Sequence, residues 1–404
     1  MRQVTVPHDR LSGIDAADQA AADGQRARVT MLGGGQLARM TWQAAISLDV
    51  GLHVLAASPR DPAPAAGAPC TVGSVDRYDD LARAAAEGDV VTFDHELVPQ
   101  AHLRRLVDEG HLLRPKPAAL ALAQDKLLAR TTFMAMGIPV PSFAAVERSA
   151  DILSFAERHG WPLVLKARAG GYDGRGVHVL EGPSAVQAHR VPIDDAGPEA
   201  PAWLVEEHLE LAAELAVVVA RGPSGQMAAY PCVETLQVDG LCQELVMPAD
   251  VSELVARQAK ELAEALAEGI DATGICAVEL FLASDGRLLL NEIATRPHNS
   301  GHVTIEACRT SQFEQHLRAV LDWPLGDTAM VAPTAATVNV IGTGRGGEPR
   351  SRLPTALGHR DASIHLYGKD SRPNRKIGHV TVLADDRETA LARARAAAAE
   401  LVAA

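Results

Sequence analysis

The run Arg28 to Ala38, RVTMLGGGQLA, limits the fold more than any other stretch of the 404 residues. Five residues of strand character enter three consecutive glycines, and Gln36 to Ile46 then follows helical spacing. Strand, tight turn and helix in that order begin a βαβ unit. The pattern continues with a strand over 52–57, a helical segment over 79–87, a strand over 89–93 and a helix over 99–109. Such alternation requires a parallel sheet covered by helices, so roughly the first 120 residues are predicted to form a doubly wound α/β domain.

Beyond Pro115 and Pro117 the chain changes register. A helix is expected over Leu120 to Met136, ending at Gly137, followed by strands at 163–166 and 176–180 on either side of a glycine loop. Further strands are expected at 203–206 and 214–219. Asp250 to Glu253 has capping-box spacing before an amphipathic helix that ends at Gly269, and 274–282 with 287–292 form a hairpin. From Pro333 onward short strands and glycine turns precede a final alanine-rich helix. The expected organisation is an extension over 1–26, an α/β domain over 27–125, a lid over 126–210, a central domain with a metal site over 211–330 and a small β-rich module over 331–404.

Composition removes several functions. A net charge of −13 argues against a large nucleic-acid surface, and no apolar run reaches the roughly 18 residues of a membrane helix. The five cysteines are scattered without a C-x-x-C pair, which suits a reducing cytoplasm rather than a disulfide or zinc framework. Residues 1–26 lack the apolar core of a secretory signal.

Several stretches can carry chemistry. Gly33 to Ala38 matches a relaxed dinucleotide fingerprint, but the second strand ends in Ala56-Ala57-Ser58 without the acid that a dinucleotide ribose requires; a smaller phosphate suits it better. Gly170 to Gly176, GGYDGRG, is either a plain hairpin or a phosphate nest that includes Gly171, Gly174 and Gly176. Lys166 on the entering strand favours the nest. Glu279 in AVELFL and Glu292 in LLLNEI are carboxylates in apolar strands, either salt-bridged, with Arg296 as a candidate, or bound to magnesium with Asn291 alongside. Together with the glycine loop and Lys166 they favour the metal. The run Arg296, His298, Asn299, Ser300 has no apolar periodicity and suits anion recognition. Lys369, Arg372, Arg375 and Lys376 form either a solvated face or part of a phosphate pocket.

Taken together, Lys126, Lys166, GGYDGRG, VEEHL at 205–209, Glu214, Glu279 and Asn291-Glu292 resemble the ATP-grasp superfamily. GGYDGRG with NEIATRPHNSGH, SQFEQHL and RPNRKIGH is similar, more narrowly, to the 5-(carboxyamino)imidazole ribonucleotide synthases of purine biosynthesis, from about Arg28 to the C-terminal region. The resemblance implies a three-domain ATP-grasp ligase, a homodimer, that uses ATP and magnesium to activate bicarbonate as carboxyphosphate and transfer its carboxyl to aminoimidazole ribonucleotide. It further implies that Lys126 and Lys166 clamp ATP oxygens, Glu206, Glu207, His208 and Leu209 face adenine, and Glu214 binds ribose. Tyr172, Asp173 and Gly174 then meet the intermediate. Gln36, Leu37, Glu96, Arg296, His298, Asn299, Lys369, Arg375 and Lys376 surround the ribonucleotide. A formate-dependent glycinamide ribonucleotide transformylase is the alternative within the superfamily. The chain departs from the family at Val177, commonly Gln, at Glu234 to Gln237, where E-N-x-H is expected, and at Thr295, often Pro and expected to matter little.

Overall fold

The computed structural model describes residues 26–170, 176–194, 202–344 and 349–402. The extension expected at the N terminus lies outside them but for Arg26, and so do Gly171, Tyr172, Asp173, Gly174 and Arg175 of the glycine loop. The described chain divides into two compact units, one of the residues to Asp94 with Val98–Arg114, the other of His95–Leu97 and everything from Pro115.

The first unit holds β1 (Arg28–Leu32), α1 (Gln36–Ser47), β2 (Gly51–Ala56), β3 (Cys70–Val72), α2 (Tyr78–Ala85), β4 (Val90–Phe93) and α3 (Gln100–Asp108). Its four strands are parallel in the order β3-β2-β1-β4. β1 and β4 are apolar along nearly their whole length and buried, as parallel strands covered on both faces must be. The order reverses at β1, which makes the carboxyl ends of β1 and β4 the switch point where such sheets open a crevice. The glycine turn lies there. Gly33 has φ +113°, a side chain on Gly34 would run into Ala56, and one on Gly35 would run into the Asp94 carboxylate.

In the second unit the expected single helix over 120–136 is two: α4 (Pro117–Gln124) and α5 (Lys126–Ala135). Asp125 between them is extended, and its carboxylate caps α5 by accepting from Leu127 N (2.9 Å) and Leu128 N (3.1 Å). Apolar spacing runs through the break, so periodicity could not show it. An antiparallel sheet in the order β5-β8-β6-β7 follows, from β5 (Phe143–Val146), β6 (Leu163–Ala167), β7 (Val177–Leu180) and β8 (Trp203–Glu207), with helices α6 (Ser149–His159) and α7 (Pro183–Asp194). Phe155, Leu163, Leu165 and Val205 are in its core.

The remaining strands make one nine-stranded sheet: β9 (Leu211–Arg221), β10 (Met227–Ala229), β11 (Val233–Val238), β12 (Leu241–Met247), β13 (Gly274–Ala283), β14 (Leu288–Ala294), β15 (Thr334–Gly342), β16 (Ala362–Leu366) and β17 (Arg375–Ala384). Helix α8 (Glu253–Gly269) packs on β9 and β13 through the small residues Ala259, Ala263 and Ala267. Its cap is Ser252, which accepts from Val255 N, rather than the expected Asp250. Short α9 (Thr304–Ala307) and α10 (Gln312–Val320) follow β14. The expected C-terminal β-rich region is not a separate sheet. β15 pairs with β12, so the central sheet runs on through β17 to β16, with α11 (Pro349–Ala356) and α12 (Arg387–Val402) beside it.

Candidate active site

In the first unit the glycine turn already has an anion. Asp94, just beyond β4, accepts from Gly35 N (2.9 Å) and Ala38 N (2.8 Å) at the start of α1. The carboxylate answers the partial positive charge and orphan N–H groups that a helix start presents. The N–H groups of Gly35 and Ala38 in the turn expected to hold a small phosphate thus have Asp94 as their acceptor. Gln36 and Leu37 lie between those two positions, in this unit, whereas every other described candidate lies in the second.

The second unit gathers its charges from seven elements: β6, β8, α5, β9, β13, β14 and β17. β6 carries Lys166, β8 carries Glu206 and α5 carries Arg130, all three buried. Glu206 Oε2 meets Lys166 Nζ at 2.6 Å and Oε1 meets Arg130 Nε at 2.6 Å. Burial opposes charge on Glu206, but Lys166 and then Arg130 overcome it and hold the carboxyl at about 2. Burial draws Lys166 below its ordinary value, with Glu206 resisting. The Glu206 carboxylate, expected near adenine, is thus engaged with cations. Glu207 accepts from Ser142 N (2.8 Å) and from Arg287 (3.4 Å), and His208 is exposed.

Glu279 and Glu292 face one another across β13 and β14, and a bulge follows at once: Leu280 pairs with Leu290, leaving Asn291 as the extra residue. The bulge lets consecutive residues both meet lysines. Asn291 Oδ1 lies 3.5 Å from Lys166 Nζ, and Glu292 Oε2 lies 2.6 Å from Lys126 Nζ at the first turn of α5. Burial, then the charges of Glu292 and Glu214, push Glu279 up to about 8. Desolvation acts the same way on Glu292, yet Lys126 prevails and lowers it. Because 46% of the Glu292 side chain is open, water screens that pull. Burial also raises Glu214 on β9. Two carboxyl groups on paired strands, whose charges raise one another's proton affinity when no cation lies between them, are a donor set that fits a divalent cation shared with phosphate.

Arg296 is not the partner of these acids. Its Nε pairs with Glu96 Oε1 at 2.8 Å. His298 Nε2 points to Glu279 Oε1 at 3.8 Å, while Nδ1 accepts from Ser300 N (3.3 Å) and contacts Ser300 Oγ at 3.0 Å. Burial and the Arg296 charge hold His298 at about 3, so the ring is neutral near pH 7. With Nδ1 accepting from a backbone N–H, its proton is on Nε2, toward Glu279. Asn299 is committed elsewhere: its amide exchanges hydrogen bonds with Asn339 of β15 at 2.9 and 3.0 Å. In the C-terminal group, Lys376 acts electrostatically on both Glu279 and His298. Lys369 Nζ lies 5.7 Å over the Tyr367 ring, Arg375 donates weakly to Asp370 O, and exposed Arg372 lies 3.6 Å from Asp370. Gly176 closes the described edge of the glycine loop, accepting from Ala167 N at 2.8 Å.

Four residues escaped the sequence reading. Arg130 and Asp94 are described above. Gln312, fully buried, accepts from His298 N (2.9 Å) and donates to His298 O (2.7 Å), fixing that loop as a neighbouring strand would. Asn339 is the fourth. The available signal for Arg130 was its place beside Ala129 and three positions before Phe133, on the buried side of a helix. Of the departures, Val177 pairs directly with Lys166 across β6 and β7. Thr295 is fully buried and its hydroxyl has no partner among the described residues.

Residues 26–124 match the ribonucleotide synthetase preATP-grasp domain, 131–313 the ATP-grasp domain, and 335–393 the phosphoribosylaminoimidazole carboxylase C-terminal domain. Fold, site and domain matches define an ATP-grasp ligase. An N5-carboxyaminoimidazole ribonucleotide synthase of Mycobacterium bovis is 46% identical over 376 residues, covering 92% of this chain and 86% of the relative. The synthetase of that name from Thermus thermophilus has a TM-score of 0.82 at 35% identity, covering 93% of this chain and 99% of the other. A synthase from Aspergillus clavatus in complex with ADP and 5-aminoimidazole ribonucleotide has a TM-score of 0.84 at 31% identity, covering 93% and 98%. The chain belongs to the N5-carboxyaminoimidazole ribonucleotide synthase family.

Proposed function

We propose that the chain uses ATP to carboxylate 5-aminoimidazole ribonucleotide with bicarbonate. A bicarbonate oxygen attacks the γ-phosphorus and ADP leaves; the exocyclic amine then attacks the carboxyl carbon, phosphate leaves, and the amine gives up a proton. The observation that carries this reading is the meeting of buried Lys166 with Asn291 beside the facing carboxylates Glu279 and Glu292. Lys166 and Lys126 bind ATP oxygens. Glu279 and Glu292 hold magnesium, which when bound neutralises charge on the transferring phosphoryl group. Glu279 releases its proton to do so. His298, neutral and fixed by Gln312 and Ser300, offers an Nε2–H donor to the reacting groups, and Arg296, Lys376 and Arg375 supply positive charge for the ribonucleotide. The chain works in the cytoplasm as a homodimer; among the described residues no helix is long and apolar enough to cross a membrane.

The test is phosphate release from ATP with magnesium and bicarbonate, with and without aminoimidazole ribonucleotide, while labelled bicarbonate is followed into product. The expected result is stimulation by the ribonucleotide and label on its amine. Turnover with formate, or none with the ribonucleotide, rejects the reading.

A further inference from the structure

Arg130, Glu206 and Lys166 form a buried group with two cations and one anion. Arg130 and Glu206 are each 1% exposed and Lys166 is 8% exposed. Each Glu206 oxygen takes one cation at 2.6 Å, and Arg130 Nη1 donates to the backbone carbonyl of Asn291 at 2.5 Å. Lys126, by contrast, pairs with Glu292, a carboxylate that is half open to water. A Lys166–Glu206 pair alone would be neutral and would offer an anion little. Desolvating a third charge is expensive, and is recovered only when something compensates it.

From this imbalance we propose that Arg130 is a positioning residue for the nucleotide. Its guanidinium occupies Glu206 Oε1 and leaves the group with one excess positive charge, so that Lys166 turns part of its charge to a phosphate oxygen. Lys166 has three N–H groups, of which Glu206 and Asn291 account for two. The fork of Arg130 also ties the strand end of Asn291 to α5, holding amide and lysine in one frame. The inference rests on the reading that Lys166 binds ATP phosphate.

The test is calorimetric titration of the full chain with adenosine, AMP and ADP, for the wild type and for Arg130→Met, Arg130→Lys and Lys166→Met. Arg130→Met should weaken ADP binding tenfold or more and leave adenosine within twofold. Arg130→Lys, which keeps the charge and loses the fork, should retain the preference for ADP over adenosine within about threefold. Equal loss of adenosine and ADP in Arg130→Met, or an unchanged ADP affinity, overturns the proposal and leaves Arg130 a structural residue. If Arg130→Met does not fold, Arg130→Lys decides alone: a collapsed ADP preference there overturns the charge argument. Should the wild type show no ADP preference, or Lys166→Met keep it, the reading of Lys166 fails instead, whatever Arg130 does.

Discussion

The start of α1 and the pocket around Lys166 handle charge in opposite ways. At α1 the chain supplies its own anion, Asp94, and the exposed ends of the backbone are satisfied within the fold. Around Lys166 one buried carboxylate, Glu206, is shared by two cations. Both regions adjoin a glycine-rich sequence that reads as phosphate binding. A glycine turn therefore does not by itself announce a ligand; what matters is whether the protein has already filled the position a phosphate would take.

That contrast can be broken at four positions. The largest effect is expected from Lys166→Met, which removes the charge facing the phosphates: kcat/KM for ATP should fall by about 100-fold in steady-state phosphate release. A fall below threefold would mean that the excess charge serves only the fold. Asp94→Ala leaves Gly35 N and Ala38 N without their acceptor and should cost about 2 kcal/mol in urea unfolding. Millimolar inorganic phosphate should restore part of the loss if the turn is an anion site filled from within; no restoration would make Asp94 a plain helix cap.

Glu279 tests the acidic side of the pocket by its pH dependence. Its folded value of about 8 lies above the ordinary 4.5, so the stability this group contributes is complete below 4.5 and disappears as pH rises through 8. Glu279→Gln copies the protonated form. It should match the wild type in denaturant midpoint near pH 5 and exceed it near pH 8.5, by about 2 kcal/mol after allowance for coupling to Glu292. Parallel curves across that range would show the carboxyl to be ionised throughout. The smallest effect is expected from Val177→Gln, opposite Lys166 on β7 and partly exposed at 39%, which should lower KM for ATP by no more than about threefold. A larger gain would show that this chain lost a contact its relatives use.

How much of this could be read in the sequence depends on whether a residue acts locally. β1, the glycine turn and α1 were legible because strand and helix periods change within a few residues. Glu279 and Glu292 were legible because carboxylates are costly in apolar strands. Asp94 was not, since its partners are 56 and 59 residues away and nothing near it marks a cap. The break at Asp125 was hidden by apolar spacing that continues through it. Arg130 reads as an ordinary helical arginine until Glu206, 76 residues on, is folded against it. Arg296 was paired in expectation with the nearest acids, but a salt bridge is decided by the fold, and the fold offers Glu96.

The continuity of the nine-stranded sheet has a consequence for the length of the chain. β12 gives its outer edge to β15, and Lys376 reaches Glu279 and His298 from β17 of the same sheet. A chain stopped before Thr334 would leave β12 with a bare row of hydrogen-bonding groups, the kind of edge that recruits other chains into aggregates. The last seventy residues therefore cannot be trimmed to give a smaller nucleotide-binding protein, and anything fused at this end must be joined beyond α12.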